Sequence, residues 1–186
     1  MVDSPAIPVR AKEPVLTPAG AGDLDFLFQL YASTRSEEVS RFGWDERQLA
    51  GFMRMQFTAR EHAYASAYAG AERSLVLCNG QRVGAIIVQR REHEIRLIDI
   101  ALLPEARSRG IGTVLVVDLI RESCRANKPL RLQVAKGNRA VSLYRRLGFI
   151  TTGEDAMYDQ MEFVPRAADE GELNPVEAQF GRTTDH

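Results

Sequence analysis

The stretch RSRGIG, Arg107 to Gly112, constrains this chain more than any other. It carries two arginines, two glycines and no carboxylate, and it joins one apolar run, IDIALLPEA, to another, IGTVLVVDLI. A basic, flexible joint between two buried elements is costly unless it has something to hold. A strand that enters a glycine turn and leaves it as a helix presents backbone N–H groups with no intrahelical partner. Together with the positive end of the helix dipole, those donors form an anion site. Gly110 and Gly112 have no side chain to keep a phosphate from the backbone, and Arg107 and Arg109 add charge at the rim. The same residues also suit a plain tight turn with solvated arginines. Two familiar phosphate loops do not fit. The dinucleotide-binding GxGxxG needs glycine where Leu115 stands, and a P-loop needs Gly-Lys-Ser/Thr where Gly112, Thr113 and Val114 stand.

Around this joint the hydrophobic period predicts the elements. PVLTPA reads as a short first strand. GDLDFLFQLYASTR reads as a helix, with Asp23 as its N-cap and Leu24, Leu27, Phe28 and Tyr31 at helical spacing. A second helix starts near Asp45 and carries Leu49, Phe52, Met53, Phe57, Tyr64 and Tyr68; its length predicts a break around Thr58 to His62. SLVLCNGQRVGAIIVQRR is a hairpin turning at Asn79-Gly80. After a turn at Arg91 to His93, EIRLIDIALLP is a third strand, ended by Pro104. The joint then opens a helix with Ile111, Val114, Leu115 and Leu119 on one face, stopped at Asn127-Lys128-Pro129. LRLQVA is a strand, NRAVSLYRRLG a short helix between Asn138 and Gly148, and FITTGEDAMYDQMEFV two closing strands. The order predicts an α+β fold: a mixed, mostly antiparallel central sheet of about six to seven strands with helices on both faces.

The chain has 186 residues, enough for one domain with a sizeable core, expected over 14–164. Residues 1–13 are expected to be flexible and the polar 165–186 a disordered tail. The net charge of -1 gives no global field to recruit nucleic acid or an anionic membrane, so neither is expected as a partner. No apolar stretch approaches the ~18 residues of a membrane span, and the start lacks the charged-then-apolar pattern of a signal peptide. Cys78 and Cys124 show no metal-ligand spacing and read as reduced thiols, which points to the cytoplasm. No metal is expected.

Two stretches in the predicted order carry a resemblance. IALLPEARSRGIGT resembles the acyl-CoA signature of the GNAT acetyltransferase superfamily, [Q/R]-x-x-G-x-[G/A], with Arg107, Gly110 and Gly112 at its fixed positions. NRAVSLYRRLGF resembles that superfamily's second signature through Asn138, Tyr144, Gly148 and Phe149, with Ala140 one place early. The likeness covers roughly residues 14 to 164. It implies acyl transfer from acetyl-CoA to an amine acceptor, a small molecule or a protein amine, by direct transfer in a ternary complex. It also admits a non-catalytic acyl-CoA-binding module of the same fold, and it leaves a homodimer open.

The resemblance further implies residue roles. The strands 98–103 and 130–135 would splay apart so that the backbone of Leu102 and Leu103 pairs with the pantetheine arm, as in β-augmentation. The pyrophosphate would sit on the amides from Arg109 through Gly110, Ile111 and Gly112 to Thr113. Asn138 would hydrogen-bond the arm, or serve only as a helix cap. A backbone N–H near Leu102 would stabilise the developing oxyanion, and Tyr144 would protonate the departing thiolate. Asp99 ranks first as base, with His93, Glu94 and water as alternatives. The acceptor pocket would come from residues about 31 to 68 and the loop near 155–159, with Phe42, Trp44, Phe57, Tyr64 and Tyr68 as candidate lining.

Overall fold

The computed structural model describes residues 13–39 and 44–165. The expected flexible start, the polar tail and Phe42 lie outside the described residues, apart from positions 13 and 165. The elements follow in the order β1 (Val15–Pro18), α1 (Leu24–Val39), α2 (Glu46–Ala67), β2 (Glu72–Cys78), β3 (Gln81–Arg90) and β4 (Ile95–Leu102). Then come α3 (Ile111–Ala126), β5 (Leu130–Ala135), α4 (Ala140–Arg146), β6 (Ile150–Glu154) and β7 (Tyr158–Phe163). They build a seven-stranded sheet in the order β1-β2-β3-β4-β5-β7-β6, antiparallel everywhere except where β4 meets β5. The α+β reading therefore holds, with both helix layers in place.

Local chemistry explains the joints. Asn79 and Gly80 both take left-handed backbone (φ 53° and 76°), as a two-residue hairpin that matches strand twist requires. Asp45 caps α2 by accepting the Gln48 N–H at 2.8 Å, and Gln48 returns a bond to the Asp45 N–H at 3.2 Å. Gly148 turns the chain out of α4 at φ 91°. Asp23 is not the N-cap expected of it: a 3-10 turn, Ala21–Asp23, precedes α1, and its carboxylate accepts the Gly20 N–H at 2.9 Å.

Two apolar cores lie on opposite faces of the sheet. One packs α3 and α4 on it through Ile111, Leu115, Val116, Ile120, Tyr144 and Leu147. The other packs α1 and α2 on it through Leu27, Leu30, Tyr31, Met53 and Phe57. The expected break in α2 is absent; the helix runs unbroken from Glu46 to Ala67. Its length, which suggested a break, is supported by contacts along its middle: Arg60 pairs with Asp99 of β4, and Glu61 with Arg73 of β2. Among the described residues, no helix is long and apolar enough to cross a membrane.

Candidate active site

The geometry of the site begins with one extra residue in β4. Val88 pairs with Leu97 and Ile87 with Asp99, so Ile98 bulges out of the ladder. A strand's side chains alternate between faces, and a bulge inverts the alternation beyond it. Before the bulge, Ile95 and Leu97 belong to the α3/α4 core; after it, Ile100 and Leu102 do. Asp99 and Ala101 consequently turn toward α1 and α2.

At the same point β4 parts from β5. Their parallel pairing covers only Ile95–Leu97 against Leu130–Leu132, although β4 runs on to Leu102 and β5 to Ala135. The gap leaves the backbone edge of β4 open. Leu102 turns its N–H and carbonyl to that edge, because strand hydrogen-bonding directions alternate and its neighbour Leu103 bonds toward β3; Arg107 takes the carbonyl, so the N–H is what the edge offers. The Leu103 N–H donates to the Val83 carbonyl at 2.9 Å, and the Leu103 carbonyl accepts the Ala106 N–H at 2.9 Å. Both groups are committed, so Leu103 departs from the pairing role expected of it.

On the α3/α4 side the gap opens into a cavity of about 210 Å³ lined by Ile100, Leu102, Arg107, Gly112, Val116, Ala140, Leu143 and Tyr144. Leu102, Arg107, Gly112 and Tyr144, distant in sequence, thus meet at one place. Gly110 starts α3 with left-handed backbone at φ 82°, and the first helical bond runs from the Val114 N–H to the Gly110 carbonyl at 3.0 Å. The N–H groups of Ile111, Gly112 and Thr113 precede that bond and have no helical acceptor. Ile111 buries its side chain in the core, while Arg109 is exposed. A Cβ on Gly112 would meet nothing within 4 Å, so the protein's own packing does not require glycine there. Arg107 donates from Nε to the Leu102 carbonyl at 2.9 Å and reaches the Ser33 carbonyl at 3.5 Å, tying the joint to β4 and α1. Asn138, one residue ahead of the α4 N-cap Arg139, accepts the Ala140 N–H at 2.9 Å.

Tyr144 is buried on α4, with its ring 5.5 Å from that of Phe149. Burial, then the negative charge of Asp99, pushes its hydroxyl up to about 12. The hydroxyl therefore keeps its proton throughout the neutral range, and the charge of Asp99 is felt across the gap.

On the α1/α2 side lies a second, tighter cavity, lined by Leu27, Leu30, Tyr31, Phe57, Arg60, Glu61, Arg73, Ala85, Ile87, Asp99 and Ala101. Asp99 is ion-paired there with Arg60, whose guanidinium lies over the rings of Tyr31 (5.3 Å) and Tyr64 (4.8 Å). Burial works against the Arg60 charge, but Asp99 and Tyr64 hold its pKa above the ordinary value. Phe57 and Tyr64 thus stand at this site; Trp44 packs on Phe52 and Tyr68 on Tyr64, and the loop 155–159 lines neither cavity. Arg60, Glu61 and Arg73 escaped the sequence reading, because a charged helix middle looks the same whether it faces water or a sheet.

His93 and Glu94 are not brought to the site. They sit at the closed end of β4, about 16 Å of strand from Asp99 in the case of Glu94. His93 is an exposed turn residue. Glu94 is buried and held by Arg131 at 2.9 Å, Arg96 at 3.1 Å and Arg91 at 3.4 Å. Burial would raise its pKa, but the hydrogen bonds from Arg96 and Arg131 hold it below the usual carboxylate value. Among the described residues no cluster could hold a metal ion.

A family model described as an acetyltransferase (GNAT) domain matches residues 38–168. No curated protein sequence matches the chain significantly. Solved structures share its fold. A PaiA N-acetyltransferase from Thermoplasma acidophilum in complex with coenzyme A superposes with a TM-score of 0.60 at 17% identity, covering 82% of this chain and 99% of that one. A histone acetyltransferase HPA2 and related acetyltransferase from Corynebacterium glutamicum gives 0.61 at 20% identity, covering 84% and 99%. The ribosomal-protein-S18-alanine N-acetyltransferase from Escherichia coli gives 0.57 at 19% identity, covering 86% and 99%.

Proposed function

The chain belongs to the GNAT acetyltransferase family, and from that premise we propose that it transfers the acetyl group of acetyl-CoA to a primary amine, directly, in a ternary complex. The observation that carries this reading is the parting of β4 from β5 beyond Leu97 and Leu132, directly beside the amides that open α3. An open strand edge and an anion site in continuity suit a ligand that is amide-bearing at one end and a pyrophosphate at the other. Acetyl-CoA supplies the activated acyl group when bound.

Each residue then has a task. The free edge at Leu102 pairs with the pantetheine arm and aims an N–H at the acyl oxygen, where negative charge develops. The amides of Arg109, Gly110, Ile111, Gly112 and Thr113 hold the pyrophosphate, and Gly112 lets it approach the backbone. Arg107 fixes the joint against β4. Asn138 sets the start of α4 and so the place of Tyr144. Tyr144 donates its hydroxyl proton to the departing sulfur; with its pKa near 12, it gives that proton only as the C–S bond breaks. Asp99 receives the proton that the amine must lose. Neither Cys78 nor Cys124 lines either of these two cavities, which supports direct transfer over an acyl-cysteine route. The two thiols are not joined in a disulfide, in keeping with a cytoplasmic setting.

Thermal-shift titration with acetyl-CoA, CoA, ATP and NAD tests the reading. A ligand at a hundredfold excess over its dissociation constant stabilises by about 2.7 kcal/mol. Acetyl-CoA and CoA should raise the melting temperature while NAD and ATP should not. A shift with ATP and none with acetyl-CoA would overturn the assignment.

A further inference from the structure

We propose that the acceptor is an α-amino acid, whose carboxylate displaces Asp99 from Arg60 and so releases Asp99 to take the acceptor's ammonium proton. The inference rests on the acetyl-transfer reading above and concerns the cavity on the α1/α2 side. Asp99, the carboxylate nearest the gap between β4 and β5, is not a free base. It is paired with Arg60, and protonating it in that pair would leave a guanidinium uncompensated between two aromatic rings.

The surroundings narrow what can undo this pair. Glu61 and Arg73 beside it form a two-pronged contact that satisfies both groups. Both carboxylates of the cavity are therefore already neutralised by guanidinium groups, and the wall presents no net negative charge to attract a polyamine. The Arg60–Asp99 contact, by contrast, is made through a single carboxylate oxygen and leaves the other one free of the guanidinium. Tyr31 and Tyr64 hold the plane of Arg60, and a fixed guanidinium plane is suited to binding a carboxylate through two parallel hydrogen bonds.

An α-amino acid carries an ammonium and a carboxylate on one carbon, the spacing of a contacting ion pair. Inserted between Arg60 and Asp99, it exchanges one ion pair for two without adding net charge to a half-buried site. As it stands this cavity holds about 20 Å³ between Leu27, Leu30, Ala85 and Ala101, room for one water, so the amino acid is admitted only as the Arg60–Asp99 pair parts. An amine without the carboxylate cannot take Arg60, so Asp99 stays engaged and the ammonium keeps its proton.

The protons balance. The ammonium gives one proton to Asp99, which passes it to water once Arg60 pairs with it again. The N–C bond forms as the C–S bond breaks. Tyr144 gives its proton to the sulfur and recovers one from the acylated nitrogen, leaving an N-acetyl amino acid, a free thiol and one proton in solution.

The test uses the full chain with acetyl-CoA and the standard α-amino acids, each beside its carboxamide and its decarboxylated amine, with released thiol as the readout. At least one free amino acid should exceed both counterparts in kcat/KM by about 100-fold or more, because a site built around a carboxylate leaves its polar groups unpaired with the analogue. Arg60→Gln should abolish that preference, and Arg60→Lys should restore part of it by keeping the charge without the fork. Calorimetric titration of acetyl-CoA into each variant shows whether it still folds around the cofactor. Acetyl-CoA that binds while carboxamides or plain amines match the amino acids, or while no amino acid reacts, overturns the acceptor assignment alone. Failure of acetyl-CoA to bind the wild type overturns the underlying reading with it.

Discussion

Tyr144 has two properties that experiment can separate: a ring packed on Phe149 and a hydroxyl in the cavity beside the gap. Tyr144→Phe keeps the first and removes the second. Its kcat should fall at least tenfold, since general acid catalysis contributes about 10²–10⁴-fold. Its affinity for acetyl-CoA should stay within a few-fold, because one neutral hydrogen bond contributes about 0.5–1.5 kcal/mol. An unchanged kcat would remove Tyr144 from the proton path. The pH dependence follows in sign. Burial and Asp99 raise the hydroxyl from 10.0 to about 12, so the wild-type rate should show no loss from Tyr144 ionisation up to pH 10. A folded-state pKa above the unfolded one gives stability that is complete below pH 10 and lost as pH rises toward 12; the Phe variant should lack that loss. At this scale a glycine-rich helix start marked Arg107 and Gly112 locally, whereas the roles of Leu102 and Tyr144 came from the resemblance. Neither showed Arg60, whose significance depends on an ion pair with a residue 39 positions away.

At the scale of elements, β4 decides the site, and β3 decides where β4 lies. Gly84 stands opposite Leu102, and a Cβ there would come within 2.3 Å of the Ala101 carbonyl and 2.6 Å of the Leu102 side chain. Gly84→Ala must push the free end of β4 outward. Overpacking of this kind costs about 1–3 kcal/mol, which urea denaturation can measure, and acetyl-CoA affinity should fall with it. A variant with wild-type stability and affinity would show that the β3–β4 spacing does not govern the edge. The hairpin, the Gly148 helix end and the closing strands were legible because turn residues and periodicity are local, whereas the cap expected at Asp23 was not found. The bulge was not anticipated, although Ile95 and Leu97 change phase there to Ile98, Ile100 and Leu102, and it explains why Asp99 faces α2. The continuity of α2 was not legible: only contacts with β2 and β4 tell a pinned polar turn from a broken one.

Across the whole molecule, one sheet separates two cores and two cavities, and the parting of β4 and β5 is where they approach each other. The cavity beside the α3 amides, about 210 Å³, is the one proposed for the acyl donor, and the smaller one between α2 and β4, about 20 Å³, the one proposed to open for the acceptor. Such a division lets donor and acceptor enter from opposite faces and meet at the free edge of β4. The order of elements was enough to anticipate this architecture, since each strand and helix announced itself locally. The parallel contact of β4 with β5 joins strands separated by a whole helix, and its early end came from resemblance alone. The central claim is that the acyl donor occupies this gap with its pyrophosphate against Gly112. Isothermal titration of acetyl-CoA into the wild type and Gly112→Val tests it most directly, because a Cβ at that position meets no protein atom within 4 Å and the fold should tolerate it. The account predicts one-to-one binding to the wild type and at least tenfold weaker binding to an equally well-folded variant. Equal affinity in the two proteins, or no binding to the wild type, would contradict it.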